Sequence, residues 1–243
     1  MRKAGSLIDR FGITLGSVVA ICGSGGKSTL LYRMADAAAE RGWRVLCSST
    51  VAGQMAPAAP GRAVVVAEGL PDFEAHLRET FAASRQVVLY ESMERRDKLL
   101  GMSVEALGAL YESGQADLFL LECCGARGRS FKAPADYEPV IPPFATHVVV
   151  VVGLEAVGRP MDERLVHRPE RVTALTGLPM GGLISPEVIA HVVGAPESYL
   201  SKGPPGAPWF LYCAKANNPK RQHAVGRLAE LLGQSPFEVI SSD

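Results

Sequence analysis

The sequence predicts an α/β protein with a mostly parallel sheet, helices on both faces and room for a small helical lobe. Three observations carry that expectation. First, an apolar run, Val18-Val19-Ala20-Ile21-Cys22, meets the turn Gly23-Ser24-Gly25-Gly26-Lys27-Ser28-Thr29, and Leu30, Leu31, Met34, Ala35 and Ala38 then recur at helical spacing. Second, a strand over 43–47 follows that helix at once, and strand–helix–strand without a hairpin is a crossover unit that demands parallel pairing. Third, the strands expected over 117–122 and 146–152 hold apolar runs, 118–121 and 148–152, without alternation, as strands buried on both faces do.

The glycine turn gives the fold its chemistry. Glycines let the backbone curl until its N–H groups face one anion, and a helix N-terminus adds partial positive charge. Lys27 would reach the outer phosphates of a nucleotide and the Ser28 hydroxyl would ligate Mg²⁺. The common spacing, Gly-x-x-x-x-Gly-Lys-Ser, would need glycine at position 21, where Ile21 stands. The shorter Gly23-x-x-Gly26-Lys27-Ser28-Thr29 resembles the loops of Mur-type ligases and some other P-loop enzymes, so the expected class is P-loop NTPase-like. The plainer alternative is a glycine-rich strand-to-helix turn beside a surface lysine.

The 243 residues suit one P-loop α/β domain, with a small helical insertion around 154–205. Lys and Arg number 25, as do Asp and Glu, so no overall field draws the chain to nucleic acid or to an acidic membrane. Met1-Arg2-Lys3 is basic, but Asp9 and Arg10 break the apolar stretch that a secretory leader needs. The most apolar run, 148–152, is far too short to span a bilayer. Five cysteines without such a leader fit free thiols in a reducing cytoplasm.

Further elements follow in order. Leu7, Ile8 and Phe11 suit one helical turn that Gly12 stops, and Gly42 ends the helix after the glycine loop. Residues 51–61, with Pro57 and Pro60, read as a loop. A strand over 63–67, a helix over 72–83 and a strand over 86–90 come next. Glu94-Arg95-Arg96-Asp97-Lys98 reads as a solvated charge run. A helix over 104–111 precedes the strand 117–122. Residues 172–178 and 187–193 read as helices, and Pro169 suits a first helical position. The expected end of the chain is a linker over 204–208, a strand over 209–213, a helix over 221–232 and a strand over 237–240.

Beyond the glycine loop, candidate chemistry clusters in the middle of the chain. The strand 117–122 ends in Glu122, a carboxylate that a parallel sheet would hold at its C-terminal edge beside the loop, where it can take Mg²⁺. Arg127, Arg129 and Lys132 then alternate with small residues in a loop suited to wrapping an anion, and 136–143, rich in proline, would stiffen it. His167 is a candidate general base or ligand contact, with Arg168 beside it. Cys22, Cys47, Cys123 and Cys213 each end an expected strand, with Cys124 adjacent. They read as small buried hydrophobes, or as a thiol cluster over the nucleotide.

Several of these stretches together resemble the YqeC family of selenium-cofactor biosynthesis proteins, also described as accessory proteins of selenium-dependent molybdenum hydroxylases. The resemblance rests on Gly23–Thr29, on Gly125-Ala126-Arg127-Gly128-Arg129 with Lys132-Ala133-Pro134, and on Glu138-Pro139-Val140-Ile141-Pro142-Pro143. Val152-Gly153-Leu154, Val166-His167-Arg168-Pro169-Glu170 and Ser185-Pro186-Glu187-Val188 extend it over nearly the whole chain. Two departures stand out. Glu122-Cys123-Cys124-Gly125 replaces the family's Glu-Ala-Asp-Gly, so an aspartate has become Cys124. Ala214-Lys215-Ala216-Asn217 replaces an Asn-Lys-x-Asp segment, removing the carboxylate that would read guanine and leaving the base open.

The resemblance implies a role in making or inserting a selenium-containing molybdenum cofactor. The expected ligand is an NTP (ATP or another) with Mg²⁺. The expected partners are a molybdopterin-type or selenium-containing small molecule and an apo molybdenum hydroxylase. Lys27, Glu122 and His167 are the catalytic candidates. Gly23, Ser24, Gly25, Gly26, Lys27, Ser28 and Thr29 would hold the nucleotide, Arg127, Arg129, Lys132 and Arg168 a second anion, and Ser28 with Glu122 the metal. Two alternatives stay open: a nucleotide-gated chaperone that binds and inserts cofactor without turnover of its own, and a Mur-like ATP-dependent ligase. A chain of this length lacks the further domains of such ligases.

Overall fold

A computed structural model describes residues 6–53, 59–95 and 98–242. Met1-Arg2-Lys3, Pro57 of the expected loop, and Arg96 and Asp97 of the charge run lie outside the described residues. The first half of the chain runs α1 (Leu7–Arg10), β1 (Ser17–Gly23), α2 (Lys27–Ala39), β2 (Val45–Ser49), β3 (Arg62–Val66), α3 (Phe73–Ala83), β4 (Gln86–Tyr90), β5 (Ser92–Arg95), β6 (Lys98–Leu100) and α4 (Val104–Glu112). The second half runs β7 (Leu118–Glu122), β8 (Phe131–Lys132), β9 (His147–Gly153), β10 (Val166–His167), α5 (Pro169–Thr176), α6 (Pro186–Gly194), β11 (Trp209–Ala214), α7 (Pro219–Leu231) and β12 (Phe237–Ser241).

Eight strands form one parallel sheet in the order β12-β11-β9-β1-β7-β2-β4-β3. This is a P-loop NTPase-like α/β fold: the strand that feeds the glycine turn lies inside the sheet, and its neighbour β7 ends in the acid. All of β1 is buried, as a strand covered on both faces must be. The period of two sends Val18, Ala20 and Cys22 to one hydrophobic cluster and Val19 and Ile21 to the other. α1 and α2 cover the second face through Ile8, Leu30, Leu31 and Met34. The first face is covered by α3, α4, α6 and α7 through Leu77, Leu107, Val192 and Leu228, so the helices within 154–205 share their core with the sheet.

Helix starts follow local chemistry. Asp72, Ser103, Ser185 and Asn218 each accept a backbone N–H from the first turn, and α5, α6 and α7 all begin with proline. The first turn of α2 has no side-chain cap, so its N–H groups face outward from Gly26.

Two features depart from the expectation. The charge run is not only a solvated face: its flanks pair as the antiparallel hairpin β5–β6, and Leu99 is fully buried. Charge at the turn masked the strands on either side of it. A second small sheet, β8 with β10, joins the basic loop to the segment before α5. Both strands have only two residues, too few to show a period.

Candidate nucleotide site

Parallel register gathers the site. Ile21 lies opposite Glu122, Ser49 opposite Glu122 from the other side, Gly23 opposite Val151, and Ala214 opposite Gly153. The strand ends and the loops beyond them open on a cleft of about 990 Å³ lined by Gly25, Gly26, Lys27, Ser28, Glu122 and Arg127, among others.

At two positions of the glycine turn only glycine fits. At Gly23 (φ +82°) an added Cβ would lie 2.2 Å from the Val151 carbonyl oxygen. At Gly25 (φ +80°) it would lie 2.6 Å from both Gly153 N and the Ser130 carbonyl oxygen. Backbone cannot yield there, so the turn is held against β9 and the basic loop by close main-chain approach. The buried Ser24 hydroxyl has no partner among the described residues.

Glu122 ties this turn to β7. Its carboxylate lies 3.3 Å from Lys27 Nζ and accepts a hydrogen bond from Ser28 Oγ at 3.0 Å. Burial works to discharge Lys27, but the Glu122 carboxylate outweighs it and raises the ammonium's pKa, so Lys27 stays charged. Thus Lys27, Ser28 and Glu122 meet at one point beside the glycine turn.

The anion loop divides in two. Arg127 (φ +48°) lines the cleft, and its guanidinium has no hydrogen bond or ion pair among the described residues. Arg129 lines the cleft as well but braces the loop, donating to the Glu163 carbonyl at 2.8 Å and the Arg127 carbonyl at 2.7 Å. Lys132 and Arg168 are corrected by the structure. The Lys132 side chain is fully buried and donates to Glu138 at 2.8 Å and to the Gly125 carbonyl at 2.7 Å. Arg168 (φ +62°) binds the same Glu138 at 2.7 Å and the Tyr137 hydroxyl at 2.9 Å. Both cations are satisfied internally and neither lines the cleft. Burial works to raise the pKa of Glu138, but Lys132 and Arg168 hold it below the usual carboxylate range.

His167 also lies away from the cleft lining. Burial, then Arg168 and Lys132, push its pKa down to about 4, so the ring is neutral at pH 7. The expectation of a general base there does not fit this placement. Three of the thiols come together, Cys22 hydrogen-bonding Cys123 with Cys124 close by, but all are buried among apolar side chains. Cys22, Cys123, Cys124 and Cys213 belong to one face of the sheet and Cys47 to the other. Burial raises the pKa of Cys22, Cys47, Cys124 and Cys213, as expected of small hydrophobes. No group of three or more His, Cys, Asp or Glu side chains suited to a metal occurs among the described residues.

Glu155 escaped the sequence reading, which named Lys215 only as part of the Ala214-Lys215-Ala216-Asn217 segment. Glu155, just past β9, accepts from Ser130 Oγ at 2.8 Å and pairs with Lys215, which follows β11 and lines the cleft. The signal for their pairing was position: each follows the end of a central strand.

Comparison with known proteins bears on this arrangement. The family profile described as YqeC protein matches residues 19–170, more than half the chain. The chain belongs to the YqeC family. That match covers β1 from Val19 on, the glycine turn, Glu122, the basic loop and His167 through the start of α5. A protein of Escherichia coli (strain K12) described as "Uncharacterized protein YqeC" is 28% identical over 224 residues, which is 92% of this chain and 86% of that one. Among solved structures, the hydrogenase maturation factor HypB from Archaeoglobus fulgidus aligns over 93% of this chain and 82% of its own, at 11% identity and a TM-score of 0.40. At that level the likeness carries no inference about this chain, whose fold stands on its own strand order. No helix among the described residues is long and apolar enough to cross a membrane.

Proposed function

We propose that the protein binds an Mg²⁺–nucleoside triphosphate in the cleft and uses it in maturing a selenium-containing molybdenum cofactor or a selenium-dependent molybdenum hydroxylase. The observation that carries the nucleotide reading is the meeting of Lys27, Ser28 and Glu122 beside a turn that admits no Cβ at Gly23 or Gly25. The donor set fits the group: backbone N–H groups at the start of α2, a charged lysine, and a hydroxyl with a carboxylate for the cation. Ser28 and Glu122 would hold Mg²⁺, which would draw off charge from the outer phosphate oxygens. Lys27 would neutralise those oxygens from below, and Arg127 would meet a second anionic group from across the cleft. Membership of the YqeC family supports the maturation role.

One observation favours a second reading, a nucleotide-gated chaperone that binds and inserts cofactor without turnover of its own. Cys124, where the family pattern has aspartate, is a buried thiol with its Sγ 3.5 Å from the Gly23 carbonyl oxygen, and burial raises its pKa. It cannot polarise a water as a carboxylate would. The base is also open, because Asn217 is a neutral amide whose Oδ1 accepts from Arg221 at 2.8 Å.

Calorimetry with ATP, GTP and CTP in Mg²⁺ tests the proposal. One nucleotide is expected to bind, and Lys27→Ala is expected to weaken it about 10–100-fold, the scale of one charge-assisted contact. No binding of any of the three would sink the reading. Phosphate release by the protein alone separates an enzyme from a chaperone.

A further inference from the structure

Past β9 the chain builds a short ribbon that the nucleotide reading does not use. Residues 158–161 run antiparallel to 181–184: the Gly158 N–H donates to the Ile184 carbonyl at 2.8 Å, the Ile184 N–H to the Arg159 carbonyl at 3.0 Å, and the Met161 N–H to the Gly182 carbonyl at 2.8 Å. Pro160 and Leu183 are direct partners in it, so their side chains share one face, and the period of two turns their neighbours Met161 and Ile184 to the other. Met161 and Ile184 are buried in the core, which holds Leu183 outward, 61% exposed, with Pro160 exposed opposite it. Met180, 54% exposed, stands at the end of the ribbon, in a turn closed by the Gly182 N–H on the Pro179 carbonyl at 2.9 Å. Apolar side chains held outward by a fixed backbone mark a contact surface and have little freedom left to lose on docking.

The ribbon adjoins the β9–β11 lip of the cleft, and that lip is basic. An added Cβ at Gly158 would lie 2.8 Å from Lys220 Nζ, and the cleft-lining Arg129 donates to the Glu163 carbonyl at 2.8 Å. Arg127, Arg159, Arg164 and Lys220 are exposed. Of the acids in these segments, Glu155 is taken up by Ser130 and Lys215, and the Asp162 carboxylate accepts the N–H groups of Arg164 and Leu165. Glu163 is the exposed one. A second copy of this chain is a poor occupant, since a two-fold contact sets the same cations against each other. A bilayer is a poor one too, because binding there scales with buried apolar area, and three side chains on a stiff ribbon supply little. An apolar centre with a charged border is how protein interfaces are built.

We infer that this ribbon is a docking surface for a partner protein, which takes Leu183 and Met180 into an apolar groove and presents carboxylates to Arg159 and Lys220. Nucleotide binding in the cleft is not required for this contact, so either can fail without the other.

Photocrosslinking of the full chain in the cells that make it tests the surface. A benzoylphenylalanine is placed at position 183 and, as control, at position 15, where Leu15 is 63% exposed ahead of β1 at the opposite edge of the sheet. Position 183 is expected to capture one protein, identified by mass spectrometry of the crosslinked peptide, on a segment where apolar residues adjoin Asp or Glu. Position 15 should not capture it. Arg159→Glu with Lys220→Glu, both at exposed positions, should cut the yield about tenfold, and changing the facing acids of the captured segment to lysine should restore it. A crosslink to this chain itself, or to lipid, would overturn the proposal in favour of a dimer contact or a membrane contact. Capture no stronger than at position 15, a captured segment without acids, or a yield indifferent to the charge reversal in a variant that melts like the parent would overturn it outright.

Discussion

Among the described residues two lysines are buried, and each faces a glutamate. Lys27 and Glu122 stand 3.3 Å apart, with a quarter of the Glu122 side chain exposed to the cleft. Lys132 and Glu138 stand 2.8 Å apart, with the lysine side chain fully buried and the glutamate a tenth exposed. The first pair has one further protein partner, the Ser28 hydroxyl, and open space beyond it. The second is closed by Arg168 and by the Gly125 carbonyl. Burial and pairing are therefore common to both and decide nothing about function. What separates them is residual coordination: Glu122 can still take a cation, whereas Glu138 already has two. The closed pair serves the open one, because Lys132 fixes Gly125, three residues beyond Glu122.

The comparison breaks first on stability. Lys132→Met removes one partner of a buried charge and orphans the Gly125 carbonyl, for an expected loss of about 3–5 kcal/mol in chemical denaturation. Lys27→Met should change stability by only about 1 kcal/mol or less, since Glu122 can hydrate through the cleft. Equal losses in the two variants would show that the pairs are not distinct in kind. Gly25→Ala comes next. Its Cβ would press on Gly153 N and the Ser130 carbonyl, both main chain, at a left-handed φ. An expected loss of about 2–4 kcal/mol follows from overpacking and backbone strain together. Gly128→Ala, with nothing within 4 Å of the added carbon, isolates the strain alone and should lose less.

The fold and the open pair could be read from the sequence because each depends on short-range pattern. Strand, glycine turn and helix are contiguous, and an acid ending an apolar strand has a determined place once the sheet is parallel. The closed pair could not be read that way. Lys132 and Arg168 belong to a basic, glycine-rich stretch and to a His-Arg-Pro step, and their partner Glu138 lies in an irregular proline-rich segment without period. Nothing local shows that a cation will turn inward to a glutamate six residues on, or thirty residues back. The pairing of Glu155 with Lys215 was hidden for the same reason, as they meet only when β9 and β11 lie side by side. The β5–β6 hairpin was obscured by charge at its turn.

His167 gives the finest test of the closed cluster. It stands beside Lys132 in the β8–β10 register, half-buried, facing Arg168, Lys132 and Arg127 against one carboxylate, Glu138. Its pKa falls from 6.5 to about 4 through burial first and these cations second. Above pH 6.5 the ring is neutral both folded and unfolded, and its contribution to stability is complete. As pH falls from 6.5 towards 4 the unfolded chain takes up a proton that the folded protein refuses, so stability declines through that window. His167→Gln removes this proton uptake. Denaturation midpoints measured at intervals from pH 7 to pH 4 should therefore fall less steeply in the variant. The acid limb below about pH 4.5, set by the lowered pKa of Glu138 among other carboxylates, should persist in both. A variant whose decline between pH 6.5 and 4 matched the parent would place His167 outside the field of Lys132 and Arg168. The closed cluster would then be an ion pair and nothing more.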